Sequence, residues 1–218
     1  MHPVINYDVY IFDCDGVILD SNQLKIDAMH NALSTIISDS SKVEKCVDYF
    51  RVNFGLSRFH HVDMFIEQFL QLDKNIVEQT KKSILDAYSK HCRDLYLKAD
   101  LTPDVIDFIN ELKGTKFVAS GSEQEELRDV FKLRGLDTYF DGIYGSPIKK
   151  SDLIANILEL VKSNNAIMFG DAISDFEAAK TNNIDFIGYL PYSNVREKLE
   201  ILTGKTGDIT INKWSELS

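Results

Sequence analysis

The sequence predicts an α/β fold in which helices flank a doubly wound, mainly parallel sheet, and three observations predict it. Short runs of β-branched and aromatic residues alternate with helical patterns through the second half of the chain, as strand–helix–strand crossovers require. One such run, Val9-Tyr10-Ile11-Phe12, stands alone near the start. Between the two, residues 21–97 carry apolar positions at helical spacings and no convincing strand. The simplest architecture joins residues 1–20 and 98–218 into one α/β core. A helical lobe, 21–97, is then inserted directly after the first strand.

Taken in order, the opening strand leads to a helix from Ser21 to about Ile37, punctuated by Ser38-Asp39-Ser40-Ser41. Val43 to Val52 continues helical, and Asn53-Phe54-Gly55-Leu56-Ser57-Arg58 breaks the pattern. A helix is expected from His60 to Leu72, with Val62, Phe65, Ile66 and Phe69 on one face. Val77, Ile84, Tyr88, Cys92 and Leu95 then mark a long amphipathic helix over 75–97. In the core, Pro103 suits the first turn of a helix running to Leu112. Lys116 to Ala119 reads as a strand, and Ser122 with Glu125 as a capping box for the helix after it. Strands at Gly142–Tyr144, Ala166–Phe169, Asp185–Tyr189 and Asp208–Ile211 follow, with helices over Asp152–Val161 and from Asp175 to Lys180. Gly204-Lys205-Thr206 resembles the end of a P-loop, but the earlier glycine that motif needs would be Leu199. It reads as a loop before the last strand.

Composition narrows the function. The 218 residues, 44% hydrophobic and 27% charged, suit a globular chain of one medium domain or a core with a small lobe. A formal net charge of -10 argues against a broad nucleic-acid surface. It leaves room for a small anionic substrate, because a metal ion or a few cationic groups can dominate a pocket. No apolar run is long enough for a membrane span, and Met1 to Asp8 lacks the features of a signal peptide. Cys14, Cys46 and Cys92 are scattered, and they read as packing residues in a reducing, cytoplasmic setting. A monomer or a homodimer is expected.

The chemistry should lie at the carboxyl ends of the strands, where open parallel sheets bind ligands. The first strand ends in Asp13-Cys14-Asp15-Gly16. Two carboxylates there repel each other and are costly to desolvate, and a hard divalent cation such as Mg²⁺ would compensate them. Gly16 permits a sharp departure from the strand. Later strand ends deliver Ser120-Gly121-Ser122, then Gly145-Ser146-Pro147-Ile148-Lys149-Lys150, then Gly170-Asp171-Ala172-Ile173-Ser174-Asp175. Singly these are ordinary: Ser120 a turn hydroxyl, Lys149 and Lys150 a solvated pair, Asp175 a helix-start acid. Jointly, four acids, a hydroxyl and a lysine are what metal-assisted phosphoryl transfer needs.

These motifs resemble the haloacid dehalogenase-like superfamily, in its phosphatase and phosphomutase branch. The resemblance implies a Rossmann-like core with a C1-type helical cap, and a Mg²⁺-dependent phosphatase acting on a small phosphorylated metabolite through an aspartyl-phosphate. Carried over by position, Asp13 would be nucleophile and metal ligand. Asp15 would be general acid and base, its backbone carbonyl reaching the metal. Ser120 and Gly121 would bind the phosphoryl group, and Lys150 would stabilise nucleophile and phosphate. Asp171 would bind the metal, with Asp175 supporting it directly or through water and the lysine. Two departures stand out: Gly121 replaces a frequent asparagine, and the lysine follows Pro147 instead of preceding it. Lys150 is chosen because Ser151-Asp152-Leu153 leads straight into a helix, with Lys149 as the fallback.

The lobe should set the substrate. Arg51 and Arg58 flank a segment similar to the specificity loop of capped relatives, and arginine binds a carboxylate or second phosphate as a fork. Their plain alternative is as surface residues. His60 and His61 diverge on a helix and are expected at the surface or behind the site. A sugar-phosphate mutase similar to β-phosphoglucomutase needs the same core residues. A phospho-accepting signalling receiver is the alternative of another class, but it would carry its aspartate on the third strand and need no inserted lobe.

Overall fold

The computed structural model describes residues 6–217. Met1 to Ile5, part of the stretch examined above for a leader, lie outside them. Among the described residues the sheet has six strands in the order β3-β2-β1-β4-β5-β6. These are β1 (Val9–Phe12), β2 (Thr115–Glu123), β3 (Gly142–Ser146), β4 (Ala166–Gly170), β5 (Asp185–Tyr189) and β6 (Ile209–Ile211). All neighbouring pairs are parallel, with Phe12 level with Val118 on one side and Phe169 on the other.

β1 is buried on both faces because its alternate side chains feed two cores. Tyr10 and Phe12 join one cluster with Phe108, Phe131, Phe169 and Trp214. Val9 and Ile11 join the other with Leu153, Ile157, Met168 and Phe186. A strand covered on both sides has no polar face, which is why it reads as an unbroken apolar run. Trp214 stacks on Tyr189 and Phe108, with ring centroids 4.5 and 4.8 Å away. The order of the strands reverses between β1 and β4, so the connections leave in opposite directions and open a crevice there.

The covering helices are α5 (Val105–Glu111), α6 (Gln124–Leu133), α7 (Lys150–Val161), α8 (Ile173–Thr181) and α9 (Arg196–Thr206). Three expectations shift. α5 starts after Pro103 and not at it, with Asp104 at its cap in a left-handed conformation (φ 62°). The cap of α6 is Glu123, whose side chain accepts the Glu126 N–H at 2.8 Å, because β2 continues through Ser122. Gly204-Lys205-Thr206 is the last turn of α9 and not a loop, and Gly207 ends the helix at φ 83°. Leu199 and Thr203 are that helix's only buried residues, so it carries little amphipathic signal.

The inserted lobe contains α1 (Asn22–Ser34), α2 (Ser40–Val52), α3 (Arg58–Met64) continued by a π-helical stretch, Phe65–Leu70, and α4 (Val77–Lys98). It has its own apolar cluster, including Met29, Phe50, Phe65, Ile84 and Cys92. All three cysteines are free and buried. The chain leaves and re-enters the core along adjacent paths. Leu19 bridges Leu101, the Asp20 N–H donates to the Asp100 carbonyl at 2.9 Å, and the Thr102 N–H donates to the Ile18 carbonyl at 2.9 Å. Among the described residues no helix is long and apolar enough to cross a membrane.

Candidate active site

The crevice between β1 and β4 collects the acids. Asp13 follows β1 directly, and its N–H donates to the Phe169 carbonyl of β4 at 2.9 Å. Gly16 adopts φ +73°, and a Cβ there would run into the Asp171 and Asn22 side chains. The chain can therefore turn away from the crevice only through glycine. Asp13 Oδ1 accepts the Cys14 N–H at 2.8 Å and lies 3.0 Å from Lys150 Nζ. Lys150, in the first turn of α7, also pairs with Asp175. Asp175 Oδ2 accepts the N–H groups of Asp171 and Ala172 at 3.1 and 3.0 Å, which closes the β4–α8 turn. Asp171 Oδ2 accepts from Asn22 Nδ2 at 2.6 Å.

The electrostatics of this cluster are lopsided, with three buried carboxylates facing one buried lysine. Burial, then the charge of Asp175, pushes the Asp13 carboxyl above its ordinary range. Burial, Asp175 and Asp13 do the same to Asp171. Lys150 also moves up: burial opposes its charge, but Asp13 and Asp175 outweigh that and hold it protonated above the usual lysine value. Ligand atoms from Asp13, Asp171 and Asp175 lie within 4.8 Å of one another. Asp13 Oδ2 and Asp171 Oδ1 are buried without a hydrogen-bond partner. Oxygen-only, negative and with two free lone-pair donors, the set fits a hard divalent cation. Asp175 has both oxygens engaged by Lys150 and the turn.

Asp15 is in different company. Its carboxylate accepts from Ser21 Oγ at 2.6 Å, Lys25 Nζ at 2.8 Å and Tyr96 OH at 2.9 Å. Ser122 Oγ lies 3.1 Å away and 2.9 Å from Lys25 Nζ. Burial alone would raise its pKa, but Lys25 and the hydroxyl donors outweigh that and hold it below the usual carboxylate range. Lys25 and Tyr96, together with Asn22 beside Asp171, escaped the sequence reading. Lys25 and Asn22 sit on the buried stripe of α1 with Ile26 and Met29, and a lysine at a core position of an amphipathic helix was the available signal. Tyr96, not Leu95, continues the Ile84–Tyr88–Cys92 stripe of α4.

Ser120 is buried at the end of the β2 core segment, and its Oγ accepts the Ser122 N–H at 3.1 Å while keeping its own proton to donate. Gly121 backs onto the lobe, since a Cβ there would strike the carbonyl oxygens of Gly55 and Leu56. Lys149 sits at the N-cap of α7 and makes neither ion pair, so Lys150 is the lysine of the cluster. The arginines do not form the expected open fork. Arg51 is exposed at the end of α2. Arg58 is buried, and Nη2 pairs with Glu126 Oε2 at 2.6 Å while Nη1 reaches Glu126 Oε1 at 3.0 Å and Ser89. Its fork is taken by the core helix α6, so it fastens the lobe down. His60 is exposed as expected, but His61 is fully buried among Phe50, Tyr49 and Phe65.

Similar proteins have been named and solved. A phosphoglycolate phosphatase of Psychrobacter arcticus is 27% identical over 197 residues, covering 82% of this chain and 81% of that protein. The crystal structure of a predicted phosphatase from Clostridium acetobutylicum superposes with a TM-score of 0.75 at 22% identity, over 97% of this chain and 96% of that one. A β-phosphoglucomutase structure from Clostridium difficile gives a TM-score of 0.70 at 18% identity, over 97% and 93% of the two chains. The family model for haloacid dehalogenase-like hydrolases matches residues 10–189, from β1 to the end of β5 and across the whole inserted lobe, and the chain belongs to that family.

Proposed function

We propose that the protein is a Mg²⁺-dependent phosphatase of a small phosphorylated metabolite, working through a phosphorylated Asp13. The observation that carries this is the unpartnered Asp13 Oδ2, buried beside Lys150 in an acidic, oxygen-only cluster. A phosphatase among the named relatives supports the same reading. Asp13 and Asp171 would hold Mg²⁺ with the Asp15 carbonyl, and Asp175 would fix the turn and the lysine. When bound, the ion neutralises phosphate charge and lowers the barrier to attack.

The chain's own residues do the rest. Ser120 Oγ and the backbone N–H groups after it hold the phosphoryl oxygens, and Lys150 offsets their charge. One carboxylate oxygen of Asp13 forms a bond to phosphorus as the bond to the leaving oxygen breaks, and the leaving oxygen takes a proton from Asp15. Water then attacks the aspartyl-phosphate, gives its proton to Asp15, and releases phosphate with Asp13 restored. In the arrangement described, Asp15 is a caged carboxylate. Carrying a proton requires it to turn out of the cage made by Lys25, Ser21 and Tyr96, which ties the chemistry to the lobe. We read residues 1–20 and 98–218 as the catalytic unit and 21–97 as its cap.

The test is Asp13→Asn, a near-isosteric change. With Mg²⁺ and an aryl phosphate, phosphate release should fall at least about a thousandfold, as for loss of a nucleophile, with the circular dichroism spectrum unchanged. Retained turnover would take Asp13 out of that role. Phosphate moved within a sugar without net release would mark a mutase instead.

A further inference from the structure

Of the three acids in the cluster, two are held by the core. Asp13 Oδ1 is fixed by Lys150 and the Cys14 N–H, and Asp175 by Lys150 and the β4–α8 turn. The third is held from the lobe. Among the described residues the Asp171 carboxylate has one hydrogen-bond partner, the side chain of Asn22, which is the first residue of α1.

Asn22 is itself anchored. Its Nδ2 donates to Asp171 Oδ2 at 2.6 Å and to the Tyr192 carbonyl at 2.9 Å, which uses both hydrogens of the amide. Tyr192 lies in the loop between β5 and α9, so core atoms accept on both sides of the amide. Gly16 presses on the same pair: a Cβ there would lie 2.4 Å from Asp171 Oδ2 and 2.6 Å from Asn22 Nδ2. Asn22 and Asp171 are both buried, and a hydrogen bond shielded from water is electrostatically stronger than an exposed one.

The effect on a metal ligand is directional. A carboxylate whose Oδ2 is committed to a fixed donor presents its Oδ1, and Asp171 Oδ1 is buried without a partner. Outer hydrogen bonds of this kind orient the atoms that touch a metal. Without Asn22, no described side chain would hold Oδ2 back, and the carboxylate would be free to turn. Asn22 also stands two residues past the neck where the Asp20 N–H meets the Asp100 carbonyl. Lifting the first turn of α1 off the core breaks its bond to Asp171.

We propose that Asn22 is a positioning residue for the metal, so that Mg²⁺ affinity and the seating of the lobe's first turn form one coupled equilibrium. The proposal rests on the Mg²⁺-dependent phosphatase reading above. By linkage, the factor that the Asn22 bond contributes to Mg²⁺ affinity is the factor by which Mg²⁺ holds that turn on the core.

Calorimetric titration of the full chain with Mg²⁺ alone tests it. Asn22→Leu removes the donor at similar size, and Kd should rise by about tenfold or more, as for loss of an outer partner of a metal ligand. Urea unfolding separates positioning from plain packing. A lost packing contact lowers stability equally in chelator and in saturating Mg²⁺. A tenfold change in Kd instead widens the gap to wild type in Mg²⁺ by about 1.4 kcal/mol. In the wild type, Mg²⁺ should slow hydrogen exchange at the Lys25 amide, which bonds back to the Ser21 carbonyl across Asn22, by a similar factor of about ten. A folded Asn22→Leu with Kd within about twofold of wild type would overturn the proposal and leave the phosphatase reading standing. Unchanged exchange at Lys25 would overturn it too, and this wild-type measurement decides should the variant not fold. Failure of the wild type to bind Mg²⁺ removes the metal reading and this proposal with it.

Discussion

Two buried lysines divide the acid pair at the end of β1 between them. Lys150 reaches Asp13 from α7, a helix of the core itself. Lys25 reaches Asp15 from α1, the first helix of the inserted lobe. Aspartates two residues apart are thus held by different parts of the molecule. The core grips Asp13 whatever the lobe does, whereas the grip on Asp15 lasts only while the lobe stays down. A strand-end acid pair becomes a fixed group and a conditional one through the choice of lysine.

The largest effect expected from breaking this arrangement is at Lys150. Lys150→Met removes the one cation from three buried carboxylates and should destabilise the protein by about 3–5 kcal/mol at neutral pH, as breaking a buried pair does. Urea unfolding in the presence of a chelator measures this, and Mg²⁺ should return part of the loss. Stability equal to wild type would show that Lys150 does not compensate the cluster. Lys25→Met should cost less, about 2–3 kcal/mol, because Ser21 and Tyr96 still donate to Asp15. A loss as large as that at Lys150 would erase the contrast between the two lysines.

The smallest expected effect concerns His61 and acid. Its folded pKa of about 3 lies below the ordinary histidine value of 6.5, so the unfolded chain binds the proton more readily. The stabilisation from keeping the ring neutral is complete above about pH 6.5 and is lost as pH falls from there toward 3. Between pH 6.5 and 4.5 wild type should lose about 2 kcal/mol more than His61→Phe in urea titrations. Parallel curves would mean that the ring is not held neutral by burial.

The sequence made the strand ends legible because each strand is a short apolar run followed by small or acidic residues, and in a parallel sheet those ends share one edge. Asp13, Ser120, Asp171, Asp175 and one of the pair Lys149 and Lys150 could be gathered on that ground, and the structure selects Lys150. The lobe's contributions were harder to read, since their partners are remote. Arg58 looks like a free fork until Glu126, 68 residues away, occupies it. His61 differs from His60 only in which side of α3 it faces, and adjacent histidines give no pattern to decide that. Lys25 was passed over because its partner, Asp15, lies across the lobe–core boundary. α9 was missed for a different reason: with Gly204 inside it and two buried residues, it presents almost no apolar stripe.

The adjacent crossing points of the lobe have a consequence for how such a chain can change. Asp20 and Asp100 are a hydrogen bond apart, so the sheet experiences the whole insertion as a tight loop closed at its neck. The entropy of closing a loop grows only slowly with its length, and the neck holds the ends together whatever lies beyond it. A lobe could be lengthened, shortened or exchanged without altering a single strand register. Leaving-group preference would then be inherited with the insert, while the machinery that handles phosphate travels with the sheet.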